Sequence, residues 1–445
     1  MLLKNIDFGN NFTWGAAISA SQTEGAYNSY GKGMSIWDDF SSKKWKIKNR
    51  DNNKTACDFY HNYNEDLLLA KHLNIKHFRF SISWPRLMPD GIGAINSEGI
   101  DFYNKVIDRC LELDITPWIT IYHWDLPLFL EKIGGWTNRE ILIYFFDYVK
   151  LCATKFGDRV KHWMVLNEPM AFTGAGYFLG VHAPGRRGLS NFLPALHHAA
   201  LCQSIGGRII KEVRPDAEVG TTFSFSHIEP KSQKEKDILA AKKIDALLNR
   251  TFLEPTLGLG YPIKELPFLR KIEKYFLPRD EEKLKFQFDF IGAQVYTREI
   301  ARRSPFIPYI NANIVPAVKR NVDLTAMKWE NYPNALYHTL KFLSTYKDIK
   351  KIYVTENGAA FPDELINGQI NDTKRIEYLQ KSIAGMLKAK NEGVNVQGYF
   401  LWSLLDNFEW AEGYHPRFGI IHIDYETQKR TIKQSGNWYR DFIEE

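Results

Sequence analysis

Eight short runs of strand-forming residues recur along the chain, each followed by a longer helical or loop segment, and this alternation constrains the fold more than any other feature. In order the runs are "FTWGAAISAS", "KHFRFSISW", "ITPWITIYHW", "KHWMVLNE", "AEVGTTFSFS", "FDFIGAQVYT", "KIYVTENG" and "VQGYFLWSLLD". Strands alternating with helices predict an α/β protein. Eight of them fit a closed (β/α)8 barrel better than a doubly wound sheet, because none is left over for an edge. The segment "NREILIYFFDYVKLCATKFG" has the three- and four-residue apolar spacing of one of the connecting helices and ends on Gly157. The chain is 445 residues long, a length such barrels reach with insertions, and no linker rich in Gly, Ser or Pro divides it, so residues 1–445 read as one domain. Residues 298–332 form a long proline-bearing excursion after the sixth strand, of the kind that builds one wall of a cleft.

The formal charge of +6 arises from 58 basic and 52 acidic residues that are mostly interleaved, the pattern of solvated helix faces, which argues against a nucleic-acid partner. The one basic cluster, "SSKKWKIKNRDNNK", reads as a polar loop. No segment approaches the roughly 18 apolar residues of a membrane span, and the N-terminus lacks the apolar core of a signal peptide. Cys57, Cys110, Cys152 and Cys202 are scattered without CxxC spacing and read as reduced, buried thiols. Together these features predict a cytoplasmic protein that binds neither membrane nor nucleic acid; self-association into a homo-oligomer is compatible with them. "GAYNSYGKG" resembles a phosphate loop but has one residue too many, and Gly33 follows the lysine where Ser or Thr is needed. There is no GxSxG elbow and no HExxH pair, and the adjacent His197 and His198 point about 100° apart on a helix, so neither metal nor cofactor is expected.

Polar and aromatic residues collect at the C-terminal ends of the predicted strands, which in a parallel barrel open on one face. Gln22 follows the first strand, Arg79 lies in the second, and His123 and Trp124 end the third. Asn167 and Glu168 end the fourth, Gln294 and Tyr296 lie at the end of the sixth, and Glu356 ends the seventh; Trp402 lies on the eighth, with Glu409 and Trp410 just beyond. Singly, each has an ordinary reading: a buried tryptophan is core, a glutamate before Pro169 is a helix-entry residue, and a lone histidine is structural. Their joint occurrence at successive strand ends points instead to a site. Two carboxyl groups reaching one pocket suit cleavage of a glycosidic bond with retention, which needs an acid/base and a nucleophile about 5–5.5 Å apart. A carboxylate beside Arg79 and the Tyr296 hydroxyl is held ionised, which suits Glu356 as nucleophile. Glu168, facing that charge among apolar neighbours, is raised and protonated, which suits the acid. Flat tryptophan faces pack on the C–H face of a sugar, and polar partners fix its hydroxyls.

The motifs "TWGAAISASQTEG", "FRFSISWPRLMP", "YHWDLP", "LNEP", "YVTENG" and "LWSLLDNFEWAEGYHPRFGIIHIDYETQKR" occur in an order that resembles glycoside hydrolase family 1, the β-glucosidase family, from about residue 8 to residue 440. The resemblance implies that Glu168 is the acid/base and Glu356 the nucleophile. It also implies that Gln22, His123, Asn167, Glu409 and Trp410 bind the non-reducing sugar with Trp402 as its platform, that Tyr296 and Arg79 support the nucleophile, and that Trp329 in "KWENYP" is a platform for the leaving group. Members acting on 6-phosphorylated sugars usually carry serine where Glu409 stands, so unphosphorylated β-glycosides and small oligosaccharides are the expected substrates. The sequence departs from the family in "GAQVYT", where Gln294 replaces a usual asparagine and carries its amide one C–C bond further. The expected enzyme is thus a retaining, exo-acting β-glucosidase. The alternatives are a transglycosidase, a 6-phospho-β-glycosidase, or a carbohydrate-binding protein without turnover.

Overall fold

A computed structural model describes residues 3–444. Its centre is a closed ring of parallel strands: β1 (Thr13–Ala17), β2 (His77–Ser81), β3 (Thr116–Tyr122), β4 (His162–Asn167), β5 (Glu218–Pro230), β6 (Phe290–Arg303), β7 (Ile352–Asn357) and β8 (Val396–Trp402). Each pairs with the next, and β8 pairs back onto β1 in the register Thr13↔Gly398 to Ala17↔Trp402, so the sheet has no free edge. The predicted (β/α)8 barrel is therefore the observed fold.

Helices between the strands cover the outside: α1 (Phe59–His72), α2 (Ser97–Glu112), α3 (Ile141–Phe156), α4 (Leu189–Val213), α5 (Glu235–Asp245), α6 (Ala335–Leu343), α7 (Thr373–Asn391) and α8 (Gln434–Glu444). In α2 the buried side chains Ile100, Tyr103, Val106, Ile107 and Cys110 fall three or four residues apart, so one stripe faces the sheet. The predicted helix ending on Gly157 is α3, whose C-cap is Gly157. The last helix closes the architecture: the Tyr439 hydroxyl in α8 donates 3.0 Å to the carbonyl of Gly15 in β1.

The barrel interior below the site is filled by large side chains, with Trp118 (β3) edge-on to Tyr353 (β7) and Phe400 (β8) at 5.0 Å each. Glycines on neighbouring strands make room for them: a Cβ on Gly220 would lie 2.3 Å from the Phe290 ring. This packed layer continues upward through Trp402 and Phe418 into the wall of the site, so the floor is solid.

Two strands run beyond their predicted ends. β5 and β6 keep pairing past the rim, from His227↔Arg298 to Pro230↔Ala301, and Ala312–Ile314 then adds antiparallel to β6. One side of this projection packs Ile228, Ala301 and Ile314 against Ala240, Ala241 and Ile244 of α5, while Arg302 and Arg303 at its far end are exposed. It is the base of the long excursion anticipated after the sixth strand. The histidine pair is structural: His197 lies between Tyr261 (3.1 Å) and Asp280 (3.0 Å), and His198 Nδ1 donates 2.9 Å to the Trp136 carbonyl. Lys32 of the phosphate-loop look-alike is likewise committed, donating to Asp38 at 2.8 Å and to the carbonyls of Tyr27 and Gly33. All four cysteines are buried and unpaired in disulfides, and among the described residues no helix is long and apolar enough to cross a membrane.

Because Trp118 is buried edge-on against Phe290, Tyr353 and Phe400 from three other strands, Trp118→Ala should lower unfolding stability by about 3–5 kcal/mol. Denaturant titration measures this, and a loss below about 1 kcal/mol would contradict the packing described.

Candidate active site

The site is built on Arg79. Strand β2 brings its guanidinium to the top of the barrel with no solvent exposure. There Nη1 donates 2.5 Å to Glu356 Oε1 and 3.2 Å to the Thr355 carbonyl, Nη2 donates 2.5 Å to Asn167 Oδ1, and Nε donates 3.1 Å to Thr120 Oγ1. One cation thus ties the ends of β2, β3, β4 and β7 together.

Glu356, the penultimate residue of β7, accepts from three side chains. Besides Arg79, Gln294 Nε2 donates 2.7 Å to its Oε1 and the Tyr296 hydroxyl donates 2.7 Å to its Oε2. Burial raises its pKa above the usual carboxylate range, while the charge and hydrogen bond of Arg79 and the Tyr296 hydroxyl oppose the rise. The sequence-based expectation named only the opposing groups; full burial is what it left out. Tyr296 itself is pushed well up by burial and by Glu356, so it stays a donor.

Glu168 stands at the junction of β4 with the short helix Pro169–Thr173, in left-handed backbone with φ of 45°. Its position is the helix-entry position of the ordinary reading, yet its side chain makes no capping hydrogen bond and lines the cavity instead. Burial raises its pKa well above the usual range and the charge of Glu356 raises it further; Arg79 and the Ser224 hydroxyl only partly oppose this. When the two carboxyls share one proton, it resides on Glu168, because Arg79 and two further donors all contact Glu356.

The cavity has a volume of about 300 Å³ and includes Gln22, His123, Trp124, Glu168, Tyr296, Trp329, Glu356, Trp402, Glu409 and Trp410 among its lining. Asn167 Nδ2 donates to His123 Nε2 at 2.9 Å, so the neutral ring carries its proton on Nδ1, which is buried and has no partner among the described residues. Burial and Arg79 keep that imidazole neutral by lowering its pKa well below the usual value. Gln22 is fixed by donation to Asn407 Oδ1 and the Phe408 carbonyl, at 3.0 Å each, and by accepting 2.6 Å from the Ser19 hydroxyl. Burial, then the charge of Glu356, pushes Glu409 up to about 8.

The remaining candidates divide by depth. Arg79, Asn167 and Gln294 have no exposed surface and lie behind the wall, where they hold Glu356, His123 and one another. The longer side chain of Gln294 thus reaches Glu356 as well as Asn167. Trp124 is partly a support: its indole N–H donates 2.8 Å to the Asn167 carbonyl, and its ring backs Trp410 at 4.4 Å. Trp329 comes from the excursion and stands 5.6 Å from Tyr296 and 6.3 Å from Phe418, on the outer wall.

His182, Ser224, Met327, Phe418 and Glu412 also line the cavity and were not singled out from sequence. Phe418 lies within the quoted C-terminal motif, so that signal was present; His182 and Met327 sit in loops with no local pattern to mark them. The described lining residues include no lysine or arginine. Replacing Arg79 with Met should raise the Glu356 pKa further, by removing its one charged donor. Carbon-13 NMR of the glutamate carboxyls would read the shift, and an unchanged Glu356 titration would refute the electrostatic arrangement.

The family model described as Glycosyl hydrolase family 1 matches residues 4–445. Similar curated proteins include the 1,4-beta-D-glucan glucohydrolase of Thermotoga neapolitana, 42% identical over 442 residues (98% of each chain). β-Glucosidase A of Thermotoga maritima is 42% identical over 438 residues, covering 98% of this chain and 97% of that one. A solved family 1 β-glucosidase from Thermotoga maritima superposes with a TM-score of 0.95 at 41% identity, with 98% of each chain covered. Sequence, barrel and strand-end residues agree: the chain is a glycoside hydrolase and belongs to glycosyl hydrolase family 1.

Proposed function

We propose that this family member is a retaining, exo-acting β-glucosidase that releases terminal β-D-glucosyl residues from short oligosaccharides or aryl glucosides. The observation that carries the reading is the unequal environment of two buried carboxyls, Glu356 with three donors including Arg79 and Glu168 with no cation in contact. Glu168 donates its proton to the glycosidic oxygen while the Glu356 carboxylate attacks the anomeric carbon; the C–O bond breaks, the alcohol leaves, and a glycosyl ester forms on Glu356. Glu168, now a carboxylate, takes a proton from water as its oxygen attacks the same carbon. Glu356 is released and the sugar leaves with its configuration retained.

The sugar would pack on Trp402, with Gln22, His123, Glu409 and Trp410 on its hydroxyl-bearing rim and Asn167 and Gln294 fixing Glu356 and His123 from behind. The Nδ1–H of His123, without a partner among the described residues, offers a donor to a sugar hydroxyl. The packed layer of Trp118, Tyr353 and Phe400 beneath supports an inner end that is closed, hence exo cleavage. Unphosphorylated sugars are favoured because the described lining offers no cation to a phosphate, and with Glu409 raised to about 8 this is a better reason than repulsion by its charge. The activities named for the relatives, a glucan glucohydrolase and a β-glucosidase, and structures of the latter with deoxynojirimycin and glucoimidazole support a glucose-shaped pocket. Four free buried thiols fit a reducing, cytoplasmic setting, and we read residues 1–445 as one domain.

Glu168→Ala should lower kcat/KM for cellobiose by about 10²–10⁴-fold, whereas formation of the glycosyl enzyme from an activated aryl glucoside should suffer far less, since that leaving group needs no proton. In wild type, kcat/KM should fall on the acid side as Glu356 gains a proton and on the alkaline side as Glu168 loses its own. Steady-state kinetics across pH on both substrates test this; equal loss on both substrates in Glu168→Ala would refute its role as the acid.

A further inference from the structure

Trp329 is carried by irregular chain, yet the chain around it is anchored by buried charge. The next residue, Glu330, is 5% exposed. Its carboxylate accepts from Arg298 twice, from Nη2 at 2.8 Å to Oε1 and from Nε at 3.1 Å to Oε2, and Arg320 Nη1 also donates to Oε2. Its backbone carbonyl accepts 2.8 Å from the Thr297 hydroxyl, and the Trp329 carbonyl accepts 2.9 Å from the Thr325 N–H. Arg298 is itself held, donating 3.0 Å to Glu229 and lying 4.0 Å over the Tyr332 ring. Thr297 and Arg298 directly follow Tyr296, so the strand end that supports Glu356 also fixes the loop bearing Trp329.

We propose that Glu330, gripped by Arg298 and Arg320, is a positioning residue that sets leaving-group selectivity by fixing Trp329 as the outer wall. The inference rests on the β-glucosidase reading above. A bidentate arginine–carboxylate pair fixes direction as well as distance. Arg320 has its Nε and Nη2 buried without partners among the described residues, so Glu330 is the acceptor that offsets its charge. Without Glu330, two guanidinium groups would share a partly buried site with no common anion, and the turn carrying Trp329 would move. Glucose binding at the floor lies on other strand ends and would be spared.

The test compares cellobiose, whose second sugar would reach Trp329, with β-glucosyl fluoride, whose leaving group has no ring to pack there. Glu330→Ala should lower kcat/KM for cellobiose by about tenfold and change that for the fluoride by less than about twofold, the scale of a lost wall contact. In a Trp329→Ala background the same substitution should leave the substrate ratio unchanged, because the wall it positions is already gone. If Glu330→Ala does not fold, Glu330→Gln read by the same ratio serves, with a smaller loss expected because one oxygen still accepts from Arg298. Equal loss on both substrates, or a selectivity loss that persists without Trp329, would overturn the proposal. Wild-type protein that turned over neither substrate would overturn the activity reading beneath it.

Discussion

The Arg79 guanidinium is the interaction on which the site depends. It is a full charge buried at the top of a barrel, and four groups from three other strands turn toward it: Glu356, the Thr355 carbonyl, Asn167 and Thr120. A buried ion pair of this kind adds little stability over a well-packed apolar alternative, but breaking it by removing one partner costs about 3–5 kcal/mol. Its use here is to assign charge. It holds one carboxyl back from protonation while the neighbouring carboxyl, lacking such contacts, is forced upward.

The barrel makes this asymmetry available. Parallel strands end on one face, so residues from distant parts of the chain meet there, as Gln22 meets Asn407 and Arg79 meets Glu356 across 277 residues. The packed layer under Trp402 keeps the site dry from below, which strengthens each charge–charge interaction in it and raises Glu168, Glu356 and Glu409 together. Differences among the three then follow from their donors: Arg79, Gln294 and Tyr296 on Glu356, Ser224 on Glu168, Gln22 and Trp402 on Glu409.

Much of this was legible in the sequence because it is written locally. Each strand is a short apolar run with its functional residue at or just beyond the end, so "MVLNEP" and "YVTENG" placed Glu168 and Glu356 before any contact was known, and eight such runs implied closure. What was illegible depends on the third dimension. The continuation of β5 and β6 beyond the rim is decided by their pairing with each other, not by the polar sequence of "HIEP" and "REIARR". Trp124 lines the cavity, as its strand-end place suggests, but that its ring also backs Trp410 is decided by packing. The longer reach of Gln294 is visible in the sequence but its landing on Glu356 and Asn167 is not, and full burial, which raises Glu356 against Arg79, has no signature in a motif. Glu330 reads as an ordinary surface glutamate until Arg298 and Arg320 arrive from elsewhere in the fold.

The central claim is that Glu356 is the carboxylate that bonds to the sugar. Incubation with a 2-deoxy-2-fluoro-β-glucosyl fluoride, which forms the glycosyl ester readily and hydrolyses it slowly, followed by proteolysis and mass spectrometry, tests it most directly. The account predicts one sugar per chain, attached within the peptide that contains Glu356 and absent in Glu356→Ala. A label on Glu168 or Glu409, or turnover that inverts the anomeric configuration with no covalent adduct, would contradict it.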